Sequence, residues 1–162
     1  MITLMTTRYN NLTWTERERW FQDTGYVGAI YCTPIRVNPA KGETLIVLEM
    51  HNDENEIKAV SILNNRGFEF DKLHRIYTDR NVNRYIYKSK YRLVFDKIML
   101  TPREKTVIAI LNRLLFKGAG HSKRAHGMTA LPKWILQNRC MNFLEEFRPM
   151  LRRHFKQTSF EK

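Results

Sequence analysis

Basic and tyrosine side chains are interspersed between residues 75 and 92. A strand sends successive side chains to opposite faces. If residues 84–95 form one regular strand, one face carries Tyr85, Tyr87 and Tyr91, and the other carries a cationic stripe of Arg84, Lys88, Lys90 and Arg92. Cations about 6.5–7 Å apart along a strand approach the phosphate spacing of an extended nucleic-acid backbone. The stripe therefore predicts phosphate contacts, with base stacking on Tyr77, Tyr85 or Tyr87 as a narrower hypothesis. The alternative is an edge strand whose lysines discourage aggregation.

A glycine-rich loop, residues 116–127, is the second candidate, with the sequence FKGAGHSKRAHG. Three glycines let backbone N–H groups turn toward one point, and polar side chains add further donors. This composition predicts a phosphate cradle made by Lys117, His121, Ser122, Lys123, Arg124 and His126. It is not a nucleotide-binding P-loop, because Ser122 precedes Lys123. The alternatives are a solvated connection between helices and catalysis by His121 or His126.

Two smaller charged groups have weaker signals. Glu49, His51, Asp53, Glu54 and Glu56 surround a predicted turn and suit a divalent metal, but alternate residues point apart, so a solvated turn is favoured. We therefore predict no metal and no cofactor.

A basic run near the C-terminus contains Arg148, Arg152, Arg153 and Lys156. These cations either extend the polyanion surface or interact favourably with the negative end of a helix dipole.

The elements that must position these groups are β-rich in residues 26–96 and helical in residues 101–156. Thr13 or Thr15 caps a first helix that Gly25 ends. Strands are predicted at 26–32, 45–50, 57–63, 73–77 and 84–96, with a hairpin turn at 51–56. Thr101, Pro102 and Glu104 start a helix that Gly118 stops.

Pro132 opens a last helix, with Cys140 on its apolar face, which Pro149 bends or ends. We therefore expect one α+β domain over residues 1–162: a small curved antiparallel sheet or barrel, with the N-terminal helix and the C-terminal helices packed on it.

Charge is distributed unevenly along the chain. The net charge is +12 over 162 residues, but residues 1–81 carry 10 basic and 11 acidic side chains, whereas residues 82–162 carry 18 and 5. Such an asymmetry points to a polyanion partner.

The two cysteines have no disulfide or metal spacing, and neither a signal peptide nor a membrane span is evident. We expect a cytoplasmic or nuclear protein that is not secreted.

Two resemblances extend these expectations. The order of residues 30–34 (IYCTP), 45–50 (LIVLEM), 57–63 (IKAVSIL) and 91–95 (YRLVF) resembles the PUA-like barrels of ASCH, EVE and YTH domains. That resemblance covers residues 14–100 and implies binding of RNA or modified bases. Residues 83–88 (NRYIYK) and 115–124 (LFKGAGHSKR) look like small uncharacterised proteins of nucleocytoplasmic large DNA viruses, which implies a place in the virus factory or virion.

The sequence thus predicts a non-enzymatic protein that binds RNA or DNA without a membrane partner. Its contacts would come from the stripe, the loop and the C-terminal helix, including Arg152 and Arg153. One alternative is a nuclease-like enzyme that processes nucleic acid. Another is a virion structural protein that docks on a viral or host protein.

Overall fold

The structure of the protein is a computed structural model that describes residues 1–39, 42–68 and 75–155. Its strands in these ranges are β1 (Ile2–Tyr9), β2 (Ala29–Thr33), β3 (Thr44–His51), β4 (Glu56–Asn64), β5 (Tyr85–Ser89), β6 (Tyr91–Val94) and β7 (Thr129–Ala130). Its helices there are α1 (Asn11–Thr24), α2 (Pro102–Phe116), α3 (Lys133–Leu136) and α4 (Phe143–His154), with a 3₁₀ turn at Phe95–Lys97. None of these helices is long and apolar enough to cross a lipid bilayer.

A mixed five-stranded sheet forms the middle of the molecule, in the order β6-β4-β3-β1-β7. β1 runs parallel to β3, from the pair Ile2 and Thr44 to the pair Tyr9 and His51. The other neighbours are antiparallel. β3 is buried at every position except Thr44, because it is covered on both faces.

Two cores lie on the two faces of this sheet. Ile46, Leu48 and Met50 of β3 point to a helix-side core under α2, α3 and α4. Leu45 and Val47 point to a strand-side core, which is covered by α1 and by a second sheet made of β2 and β5. The alternation follows from the twofold repeat of a strand. The molecule is therefore α+β with helices packed on the sheet, as the sequence predicts.

The prediction of an antiparallel sheet is wrong, and the sheet does not close into a barrel within the described residues. The reason is β1, for which the sequence analysis predicts no element. α1 and β2 connect β1 to β3, and this long crossover permits parallel pairing. β1 therefore becomes a central strand between β3 and β7.

The single strand predicted for residues 84–96 is also wrong, because the chain changes sheet at Lys90. The Ser89 hydroxyl donates to the carbonyl of Ile62 and accepts from the amide of Tyr91. Gly28 packs against this corner with φ of +128°, and a Cβ there would lie 2.9 Å from the Cα of Lys90. The corner therefore depends on a residue without a side chain.

The helix boundaries follow local capping. The prediction for α2 is confirmed, since Thr101 and Glu104 cap each other reciprocally. Gly25 does end α1, but the N-cap is Asn10, not Thr13 or Thr15.

The helix predicted from Pro132 is instead two helices, α3 and α4. The Asn138 side chain accepts from the amides of Cys140 and Met141 and so interrupts the helix. Cys140 is consequently exposed and lies between the two helices rather than on a helix face. Pro149 lies within α4 without ending it.

The strand predicted at residues 73–77 is absent from residues 75–77, and residues 73–74 lie outside the described ranges.

Candidate functional site

A buried polar cluster lies in the strand-side core around Glu49 of β3. The Glu49 carboxylate accepts from Arg17 Nη2 at 2.5 Å and from Arg92 Nε and Nη2 at 2.8 and 2.9 Å. It also accepts from the Tyr31 hydroxyl at 2.8 Å, which in turn lies 2.5 Å from Ser61 Oγ. The side chains of Arg17 and Glu49 are 0% exposed. α1, β3 and β6 are therefore joined at one carboxylate.

The charges of this cluster are fixed at neutral pH. Burial raises the pKa of Glu49, but the guanidinium groups of Arg17 and Arg92 outweigh burial and hold it at about 2. Burial raises the pKa of Tyr9, whose hydroxyl accepts from Arg17 Nη1 at 2.6 Å. The Arg17 guanidinium also lies over the rings of Tyr9 and Trp14, 4.1 and 4.7 Å from their centroids. With Arg17 and Glu49 sealed from solvent, the cluster binds α1 and β6 to the sheet.

Three contacts predicted within residues 75–92 are therefore corrected. Arg92 is not on an exposed stripe, because the sheet change at Lys90 directs its side chain to Glu49, where it is 9% exposed. Tyr87 is 3% exposed, and its hydroxyl accepts from the amide of Val37. Tyr77 is likewise buried. Neither ring offers a face for base stacking, whereas Tyr85 is half-buried against Phe68.

The acidic residues around the hairpin turn do not point to one place. Glu49 points into the core, while Glu54 and Glu56 are exposed and both pair with Lys58. Across the part of the chain that the structure describes, no group of three or more His, Cys, Asp and Glu side chains is arranged to hold a metal. The hairpin thus has the charge pattern of a solvated turn.

The glycine-rich loop is anchored to the edge of the sheet near β1. Arg8 donates to the backbone carbonyls of Ser122 and Gly127, and Asn52 donates to the carbonyl of Lys123. Burial lowers the pKa of Arg8 to about 10, so it remains a cation at neutral pH. Ser122 is consequently buried, which corrects its prediction as an open phosphate donor.

The other side chains of the loop differ in exposure. Lys117, Arg124 and His126 are exposed, while His121 is half-buried and accepts at Nδ1 from the amide of Lys123. Lys123 Nζ donates to Asn55 at 2.8 Å. The loop therefore presents cations on a fixed backbone rather than a ring of inward-pointing donors.

The sequence analysis missed a stretch without acidic side chains that extends beyond this loop in both directions. Residues 105–144 contain no Asp or Glu and seven Lys or Arg side chains. These are Lys105, Arg113, Lys117, Lys123, Arg124, Lys133 and Arg139. Among the described residues, none of the seven forms an ion pair with a carboxylate. We call Arg113, Lys117, Lys123, Arg124, Lys133 and Arg139 the cationic loop surface.

The remaining predicted cations lie on β5, at the β6 edge and on α4. Lys90 Nζ lies 5.5 Å from the centroid of Tyr91, whose ring packs on Phe155 at the end of α4. Arg152 and Arg84 are exposed, but Arg153 is held by Glu104 at 2.7 and 2.9 Å. Lys88 is half-buried, and Lys156 lies outside the described residues.

The three predicted groups thus do not share one surface. β3 and β4 separate β6 from β1, so Lys90 and the end of the C-terminal helix meet at one edge and the loop lies toward the other. Compared with models of known protein families, with curated proteins and with solved structures, the chain gives no match.

Proposed function

We propose that this protein binds nucleic acid, with the cationic loop surface as the main contact. The observation that carries the proposal is the forty-residue stretch without an acidic side chain, whose cations have no carboxylate partner among the described residues. Cations that are not neutralised within the protein attract a polyanion and release its counterions on contact. The anchoring of the loop by Arg8 supports the proposal, because a fixed backbone lowers the cost of ordering the contact.

The β6 edge is an auxiliary contact in this proposal. Lys90 and Arg152 supply exposed cations there, and Arg84 is an exposed cation beside β5. Because the element order resembles PUA-like domains, the proposed ligands include RNA as well as DNA. Because two segments resemble viral proteins, the proposed locations include the virus factory or virion as well as the cytoplasm and nucleus.

Salt dependence of the affinity provides the first test. If about five cations each neutralise one phosphate, the plot of log K against log salt has a slope of about −4.5 for duplex DNA and about −3.5 for a single strand. Fluorescence anisotropy of labelled oligonucleotides at several salt concentrations measures both slopes. Binding that ignores salt contradicts the proposal.

Charge reversal provides the second test. The pair Lys117→Glu and Arg124→Glu should weaken binding about tenfold or more and flatten the slope, because phosphate contacts are lost. The matched control is Arg19→Glu with Arg66→Glu, two exposed cations outside the acid-free stretch. The control should lose much less affinity, since only net charge changes. Equal losses for both pairs would mean that total charge, not this surface, governs binding.

A further inference from the structure

Trp134 has 53% of its surface accessible to solvent, whereas Trp14 and Trp20 are half-buried. It lies in α3 on the border of an apolar cleft of about 260 Å³. The other lining side chains come from α2 and from residues 135–143: Ile110, Leu114, Ile135, Asn138, Cys140, Met141 and Phe143. An exposed aromatic ring beside an apolar cleft is a feature of binding sites.

The cleft is fixed by its own surroundings. The Asn138 side chain donates to the carbonyls of Ile135 and Met141 and accepts from the amides of Cys140 and Met141. Gly120 of the loop packs against the indole, since a Cβ there would lie 3.4 Å from Cζ2 of Trp134. The cleft is therefore formed before any ligand arrives.

Cations lie next to the lining residues of this apolar cleft along α2 and along residues 133–140. Ile110, Arg113, Leu114 and Lys117 follow the helical spacing of one face, so two cations alternate with two lining side chains. Lys133 precedes Trp134, and Arg139 precedes Cys140. No acidic residue lies between residues 105 and 144, the stretch that supplies every lining side chain, and Glu145 and Glu146 follow it in α4. The occupant that fits is therefore an apolar flat group attached to an anionic chain.

We propose that the cleft receives an unpaired base that stacks on Trp134, so that the protein prefers single-stranded nucleic acid to duplex. This proposal rests on the proposed nucleic-acid binding. The bases of a duplex are stacked on each other and present no free face, whereas the bases of a single strand do. Phosphates on either side of the inserted base would meet Arg113, Lys117 and Lys133.

Substitution of Trp134 tests the stacking. Trp134→Ala should lower the affinity for a single-stranded oligonucleotide about tenfold to a hundredfold, and Trp134→Phe should retain most of it. Neither variant should change the affinity for a duplex of the same sequence or the salt slope, because no phosphate contact is removed. Met99→Ala is the matched control, since Met99 is an apolar side chain that is 89% exposed and does not line the cleft.

An oligonucleotide without bases provides the complementary test. A strand of abasic deoxyribose-phosphate should bind the unchanged protein about as weakly as the normal strand binds Trp134→Ala. It should bind Trp134→Ala with no further loss, because the same contact is missing in both. Equal affinity of the unchanged protein for normal and abasic strands overturns the stacking proposal.

Cys140 reports directly on the cleft. It is exposed and lines the cleft, whereas Cys32 is buried. A single-stranded oligonucleotide should slow alkylation of Cys140, and heparin, a polyanion without bases, should not. Equal protection by heparin overturns base insertion.

The outcomes separate the two proposals. If neither single strand nor duplex binds, both fail. If binding is salt-dependent but shows no strand preference and Trp134→Ala is without effect, only base stacking fails.

Discussion

Glu49 is the only acidic side chain in the run TLIVLEMH of β3, and all four of the hydrogen bonds that it accepts come from other elements. A buried carboxylate requires such partners, because an unpaired charge in a core is very costly. The partners cannot be inferred from nearby sequence. Arg17 and Arg92 lie 32 and 43 positions away along the chain. Sequence reasoning could therefore recognise the solitary acid but not the ion pairs, which depend on the packing of α1 and β6.

Glu49→Gln should destabilise the protein strongly. The substitution removes the charge but leaves two guanidinium groups at a buried site, which costs about 3–5 kcal/mol. Urea denaturation followed by circular dichroism measures the change in the free energy of unfolding. The control is Glu54→Gln, where an exposed pair with Lys58 is worth about 0–1 kcal/mol. A small effect at both positions would contradict the assignment of Glu49 as the joint between α1 and β6.

The same carboxylate should make stability depend on pH. Its pKa is about 2 in the folded protein, below the ordinary value of 4.5. The depressed pKa contributes stability above pH 4.5, and this contribution, roughly 3 kcal/mol, is lost as pH falls toward 2. The difference in the free energy of unfolding between the unchanged protein and Glu49→Gln should therefore shrink across that window. A difference that stays constant between pH 6 and 2.5 would exclude the linkage.

Elements differ in how far the sequence predicts them. α2 begins where Thr101, Pro102 and Glu104 predict it, because a capping box is a local signal. β1 and the corner at Lys90 have no comparable local signal. Residues 2–9 become a strand by pairing with β3 and β7, and the corner depends on Gly28, 62 positions earlier in the chain. Local signals thus specify helix ends, while tertiary contacts decide the sheet.

Gly28→Ala should destabilise the corner between β5 and β6. An added Cβ would collide with the backbone of Ser89 and Lys90, and φ of +128° is unfavourable for any side chain. We expect a loss of about 3 kcal/mol, which thermal unfolding would reveal as a lower Tm.

Gly25→Ala is the matched control for this substitution. Gly25 also has a positive φ, of 68°, but a Cβ there would meet nothing within 4 Å. Only the conformational penalty of about 1–2 kcal/mol remains. If both variants unfold at the same temperature, the close approach at the corner adds nothing to the loss of stability.

At the scale of the whole molecule, the cationic loop surface and the β6 edge lie toward opposite edges of the sheet. A short strand that occupies the cationic loop surface has no reason to reach the β6 edge. The pair Lys90→Glu and Arg152→Glu should therefore leave the affinity for a short oligonucleotide nearly unchanged and weaken binding of a long one several-fold. Anisotropy titrations with oligonucleotides of increasing length measure this. An equal loss at every length would indicate one continuous surface.

The candidate surface was partly predictable for a physical reason. Its cations belong to one stretch of residues, 105–144, so composition alone locates them. The role proposed for Trp134 was not predictable, because it depends on Gly120 and on side chains of α2 that line the same cleft only after folding. The exclusion of Arg92 from the surface likewise required the sheet topology.

The position of β1 has a consequence for synthesis on the ribosome. β1 leaves the ribosome before its neighbours, yet Met5 pairs with Ala130 and Thr6 with Thr129. Until residue 130 has emerged, that side of β1 is an unpaired edge beside apolar side chains. Nascent chains that end between β3 and β7 should therefore be the forms of this protein that most need a chaperone.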